Sequence, residues 1–235
     1  MNWKTPAMWT GGECWIMGGG YSMPKQFKIP ENITQCVCVG KQLPSAYSPF
    51  LEVLHDKHVI GINNAYLIGT WMDALFFGDG SWYLTHRKNL AKWPGLKVTC
   101  TPKFANRKKE KMEGVKYLGK DHQRTHGISE NVSKVSWNGN SGSAAISLAA
   151  HFGVKRIFLL GFDMEASKFT HWHGSHNKNY KKGGRGKKQP YQRHLRGFPQ
   201  IARDAKTRGI EIFNVNPVSK IDSFPKITLK EALNA

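Results

Sequence analysis

The sequence predicts a doubly wound α/β fold built on a mostly parallel sheet, and three observations predict it. Short apolar runs recur along the chain, and several are apolar at consecutive rather than alternate positions, as strands covered on both faces require. Turn residues bound these runs. Each of two helix-like segments in the second half is followed by another strand-like run, which gives the alternation of a parallel sheet. The chain has 235 residues, 40% of them apolar and 11% aromatic. That suffices for one sizeable core and excludes a fully disordered chain, so a single domain over 1–235 is expected.

The strand candidates are 14–17, 36–39, 58–63, 74–77, 96–100, 156–160 and 210–215. The first ends in Gly18-Gly19-Gly20 and the sixth in Gly161. The helix candidates are 143–152, stopped by Gly153, and 193–208, stopped by Gly209 and weakened in its first half by Gly197 and Pro199. No internal repeat is present.

Charge is the outlier. Thirty-five Lys and Arg stand against 16 Asp and Glu, for a net charge of +19. Such an excess points to a polyanionic partner, nucleic acid first. The interval 166–203 holds ten Lys or Arg and no acidic residue. Its Gly-rich middle carries Lys181, Lys182, Arg185, Lys187 and Lys188, with Arg193 beyond. It reads as an inserted basic lid at about 166–196 that contacts nucleic acid, lying where α/β proteins keep ligand loops. No run approaches the ~20 apolar residues of a membrane span, and the start lacks the pattern of a signal peptide. Cys14, Cys36, Cys38 and Cys100 form no CxxC pair. They read as buried free thiols of a cytoplasmic protein, and no metal site is expected from them.

Five constellations carry candidate chemistry. Gly18-Gly19-Gly20 with Ser22 is either a phosphate-binding turn or simply a tight one. Asn63 and Asn64 stand at a predicted strand end, where carboxamides contact a base, ribose or phosphate, or serve turn geometry. Gly78 and Asp79 follow the Phe76-Phe77 strand, so Asp79 is either a base or ligand-binding carboxylate or the cap of a helix from Ser81. Asn140, Ser141 and Gly142 open a small-residue helix whose N-terminus suits an anion, or Ser141 and Ser143 simply cap that helix. Asp163 tips the strongest strand and is followed by His171, His173 and His176, with His194 further on. A metal site among these histidines lacks an acidic partner, whereas one imidazole as general base fits chemistry on a hydroxyl.

In this order the pieces resemble the bacterial sialyltransferases of the single-domain, Rossmann-like type. Gly18-Gly19-Gly20-Tyr21-Ser22 stands where that family has Gly-Asn-Gly-Pro-Ser, with Tyr21 replacing the proline. Gly61-Ile62-Asn63-Asn64 resembles its Cys-Asn strand end, and Phe76-Phe77-Gly78-Asp79 its next strand tip. The span from Asn140-Ser141-Gly142 to Gly161-Phe162-Asp163 resembles Ser-Gly, a small-residue helix and Gly-x-Asp. Asn216-Pro217-Val218-Ser219 resembles a late Pro-x-Ser turn. The skeleton is also similar to archaeal 6-hydroxymethylpterin diphosphokinases, and the composition to unassigned tailed-phage proteins. The family's catalytic His lies before the last long helix, near His194 here, with His171 and His173 earlier.

The resemblance implies a GT-A-like, Rossmann-like domain that binds a UDP- or CMP-linked nucleotide sugar. Ser22, Asn63, Asn64, Ser141 and Gly142 would contact the donor, and Asn216 and Ser219 would close the pocket. The expected activity is glycosyl transfer to a hydroxyl, with divalent-metal dependence left open. The charge suggests a nucleic-acid acceptor, for example a hydroxymethylated base in phage DNA, acted on in the bacterial host cytoplasm. Two alternatives stand beside it. One is an ATP-dependent diphosphokinase with magnesium on Asp79 and Asp163; the other is a non-catalytic nucleic-acid-binding protein.

Overall fold

In the computed structural model the described residues are 3–101, 113–165, 171–174 and 191–235. They form a seven-stranded sheet in which every pairing is parallel. Its strands are β1 (Glu13–Met17), β2 (Val59–Ile62), β3 (Ala74–Phe77), β4 (Leu96–Thr99), β5 (Val115–Tyr117), β8 (Arg156–Leu160) and β9 (Glu211–Asn214). The order across the sheet is β5-β4-β3-β2-β1-β8-β9. A two-stranded parallel pair, β6 (Gly119–Lys120) and β7 (Lys134–Val135), lies outside it. The expected doubly wound, mostly parallel sheet is therefore present.

The strands are apolar throughout because both faces are covered. Alternation sends Cys14 and Ile16 into one buried cluster and Trp15 and Met17 into another. The first cluster packs under the helix α4 (Ser141–His151), whose Ala144, Ala145, Leu148 and Ala149 are fully buried. Small side chains let this helix lie close to the sheet. The second cluster packs under a 3₁₀ stretch, Pro44–Leu54, through Tyr47 and Leu51.

The remaining helices are α1 (Ser22–Gln26), α2 (Glu31–Cys38), α3 (Gly80–Lys92), α5 (Tyr191–Leu195), α6 (Phe198–Thr207) and α7 (Leu229–Leu233). Two correct the sequence reading. The run 36–39, expected as a strand, is the end of α2 and its cap. Pro30 precedes this helix, Glu31 occupies its first turn, and it buries Thr34, Val37 and Cys38 at helical spacing. The expected helix over 193–208 is broken in two. Gly197 sits so close to Asn138 that a Cβ would lie 2.7 Å from that side chain, and Pro199 restarts the chain as α6. All four cysteines are free thiols, three of them buried. No described helix is long and apolar enough to cross a membrane.

Candidate active site at the switch point

From β1 the chain proceeds outward through β2, β3, β4 and β5, then returns to place β8 on the other side of β1. Connections thus leave β1 and β8 in opposite directions. A crevice opens above their carboxyl ends, the position where open α/β sheets bind ligands. A cleft of about 180 Å³ lies there. Its walls are the Gly18–Gly20 turn after β1, Asn63 after β2, the start of α4, the 161–165 turn after β8, and His171, Tyr191 and His194.

The glycines serve close approach more than anion binding. A Cβ on Gly20 would lie 2.5 Å from the Gly161 carbonyl and 2.6 Å from the Asp163 carboxylate. One on Gly18 would lie 2.8 Å from the same carbonyl. The N–H groups of Gly18 and Gly20 donate to the carbonyls of Leu160 and Gly161, both at 2.8 Å, so they are not offered to a phosphate. The turn stitches β1 to β8.

Donors for an anion come instead from α4. Asn140 is its N-cap, with extended backbone and a side-chain oxygen accepting from the Ser143 N–H at 2.9 Å. Ser141 and Gly142, in the first turn, line the cleft with the positive end of an eleven-residue helix behind them. Asn63 adopts a left-handed backbone, φ 49°, at the start of a 3₁₀ turn, Asn63–Leu67. Its Oδ1 is inaccessible to solvent and has no hydrogen-bond partner among the described residues. Asn64 faces inward, 1% exposed, and contacts His173 and Trp82 rather than the cleft.

Asp163 lines the cleft and also organises it. Its carboxylate accepts from the Ser22 N–H at 2.8 Å, from the Ser22 hydroxyl, and from Asn216 Nδ2 at 2.9 Å. Burial pushes this carboxyl above its ordinary value, and the donors from Ser22 and Asn216 only partly offset that. Ser22, Asn216 and Ser219 do not line the cleft, contrary to expectation. Ser22 and Asn216 hold Asp163. Ser219, 2% exposed, donates to the Phe162 carbonyl at 2.7 Å and accepts from Asn214 Nδ2 at 2.8 Å, which pins the same turn from below.

Asp79 stands apart. It is the exposed N-cap of α3, accepting from the Ser81 N–H at 2.8 Å and from Ser81 Oγ at 2.9 Å. Gly78 is packed under Trp137, where a Cβ would lie 2.2 Å from the indole. Since β3 and β8 are three strand spacings apart, Asp79 and Asp163 leave their strands about 14 Å from each other. They do not form one metal-binding pair.

Of the imidazoles, His171 and His194 reach the cleft, and His173, 5% exposed, stands behind it. Burial, reinforced by Arg193, holds the His194 ring below its ordinary pKa, which favours the neutral form that can accept a proton. Arg193 is exposed on α5. Lys181, Lys182, Arg185, Lys187, Lys188 and His176 lie outside the described residues. Sequence reasoning missed Tyr191 and Glu165 as lining residues; Tyr191 stands three positions before His194 on one short helix, a spacing that was available.

No family model matches the chain, and no curated protein matches it in sequence. Among the solved structures that resemble it are two glycosyltransferases. The sialyltransferase CstII from Campylobacter jejuni, solved in complex with the substrate analogue cytidine-5'-monophosphate, superposes with a TM-score of 0.51 at 12% identity. That match covers 93% of this chain and 86% of the other. The MAf glycosyltransferase from Magnetospirillum magneticum AMB-1 gives a TM-score of 0.56 at 10% identity, over 95% of this chain and 34% of that one. This chain thus spans about a third of the MAf protein. At such identities the likeness is one of fold. The chain has a Rossmann-like α/β fold of the kind these glycosyltransferases share.

Proposed function

We propose that this protein is a glycosyltransferase that moves a sugar from a nucleotide-sugar donor to a hydroxyl. The observation that carries the reading is the switch-point cleft. It brings the first turn of α4, Asn63 and the His194 imidazole to one small space. In this reading the α4 N-terminus, with Ser141 and Gly142, holds the donor phosphate. Asn63 forms the wall beside the base or ribose. His194 takes the acceptor proton as the acceptor oxygen bonds to the anomeric carbon. The bond from that carbon to the phosphate oxygen breaks, and the leaving phosphate gathers charge where the helix dipole opposes it. The likeness to a sialyltransferase solved with a cytidine monophosphate puts CMP-linked donors first and UDP-linked donors second.

The acceptor we propose is nucleic acid, for example a hydroxymethylated base in DNA. Only the net charge of +19 supports this finer reading. Thermal unfolding with CMP, UDP and their sugar conjugates tests the donor. A ligand at 100 times its Kd stabilises by about 2.7 kcal/mol, a rise of about 5 °C or more. Mass measurement of hydroxymethylated DNA after incubation with a stabilising donor tests the acceptor. A shift by one hexose or sialyl mass supports it. Stabilisation by ATP with AMP release would establish the diphosphokinase alternative instead. Stabilisation by duplex DNA and by no nucleotide would make the protein a binder.

A further inference from the structure

Behind the cleft lies a chain of hydrogen bonds whose direction is fixed at one end. Trp82 Nε1 is 2.6 Å from Asn64 Oδ1, and Asn64 Nδ2 is 3.1 Å from His173 Nδ1. An indole nitrogen only donates, so the Asn64 oxygen has to face Trp82 and its NH₂ has to face His173. His173 Nδ1 therefore accepts, and in the neutral ring the proton sits on Nε2. The usual ambiguity of amide and imidazole orientation is removed here by the one group in the chain that has no choice.

Both ends are held. Trp82 stacks on His86 at 4.5 Å between ring centroids and packs against Phe77 at 5.2 Å. On the other side, Trp172 ties the His171–His173 strip to the glycine turn. Its N–H donates to the Gly19 carbonyl at 3.0 Å and its Nε1 to the Gly18 carbonyl at 2.8 Å. The Trp172 carbonyl accepts from Tyr47 Oη at 3.1 Å. His171 and His173 converge over Gly19. A Cβ there would lie 3.3 Å from His173 Nε2 and 3.6 Å from His171 Nε2, and the ring centroids are 5.1 Å apart. Only His171 of the two lines the cleft.

We infer that His173 is a positioning residue, an Nε2–H donor of fixed tautomer set by Trp82 through Asn64, which orients His171 over the glycine turn and does not accept the acceptor proton. The inference rests on the transferase reading for its consequence but not for its geometry. Its test separates the two.

Long-range ¹H–¹⁵N correlation of the full chain reads the tautomer with no substrate present. His173 is expected to carry its proton on Nε2 with Nδ1 bare; a proton on Nδ1 would overturn the inference. Asn64→Asp is isosteric and replaces the amide donor by an acceptor. It is expected to draw a proton onto Nδ1, and an unchanged ring would overturn the lock. Trp82→Phe keeps the stack and removes the indole N–H, so two tautomers should appear; a single unchanged tautomer counts against the relay. In the transfer assay, His173→Gln keeps an N–H near the Nε2 position and should retain most of the rate, while His173→Ala should lose about tenfold. Equal losses of about 10²–10⁴ in both variants, the scale of a lost general base, would make His173 the base. If no donor is ever turned over, the spectra still decide the tautomer.

Discussion

The tips of β3 and β8 look alike in sequence and differ in use. Phe77-Gly78-Asp79 and Leu160-Gly161-Phe162-Asp163 each end an apolar parallel strand in glycine and aspartate. Asp79 turns outward and caps the helix that starts beside it. Asp163 turns inward and holds Ser22 and Asn216, residues 141 and 53 positions away. The difference comes from the neighbours. β3 lies between β2 and β4 on the side where the chain winds in one direction, so the next helix begins at once and consumes the carboxylate. β8 lies beside β1 at the reversal, where the flanking connections diverge and leave a space for the turn to line. A strand-tip aspartate is a local feature, and its task is assigned by strand order.

This contrast can be broken from either side. The largest effect is expected for Gly20→Ala, which drives a methyl into the Gly161 carbonyl and the Asp163 carboxylate. Stability should fall by about 3 kcal/mol, and nucleotide stabilisation in thermal unfolding should vanish. Asp163→Ala comes next. It strands the Ser22 N–H and the Asn216 amide, and should cost about 2 kcal/mol with at least a tenfold loss of nucleotide affinity by calorimetry. Asp79→Ala should cost about 1 kcal/mol, the usual value of an N-cap, and leave nucleotide affinity unchanged. An equal loss of affinity in the Asp79 and Asp163 variants would erase the distinction.

Proton linkage gives the smallest and sharpest comparison. The folded pKa of Asp163 is raised, so its favourable contribution is present at acid pH and is lost as pH rises through that raised value. Asp204 runs the other way. Burial pushes it up, but the Ile128 N–H, Gln200 and Arg124 outweigh burial and hold it below the ordinary carboxylate value. Its contribution is therefore lost as pH falls through that lowered value. Unfolding free energies of Asp163→Asn and Asp204→Asn, each compared with the parent across the carboxylate range, should slope in opposite directions. A shared sign would show that one of the two assignments is wrong.

Much of the sheet was legible because parallel strands buried on both faces are apolar without interruption, as in Ile157-Phe158-Leu159-Leu160. The small-residue helix was legible from its Ala-rich run and the stop at Gly153, although its cap proved to be Asn140 rather than Ser141 or Ser143. The 36–39 run misled because four apolar residues have no readable period; only Pro30 and Glu31 upstream marked it as a helix end. At the site, Gly18–Gly20, Asn63, Asn140–Gly142, Asp163, His171 and His194 meet as lining residues. Ser22, Asn64, Asn216 and Ser219 stand one layer behind, and Asp79 is elsewhere.

The chain by itself thus determined where most strands of the main sheet lie and where they stop, since burial on two faces and turn chemistry are written in neighbouring residues. Only the tertiary structure decided which stops share a cleft and which carboxylate organises it. Those choices depend on the order of strands in the sheet, a consequence of pairings between residues more than a hundred positions apart, such as Met17 with Leu160.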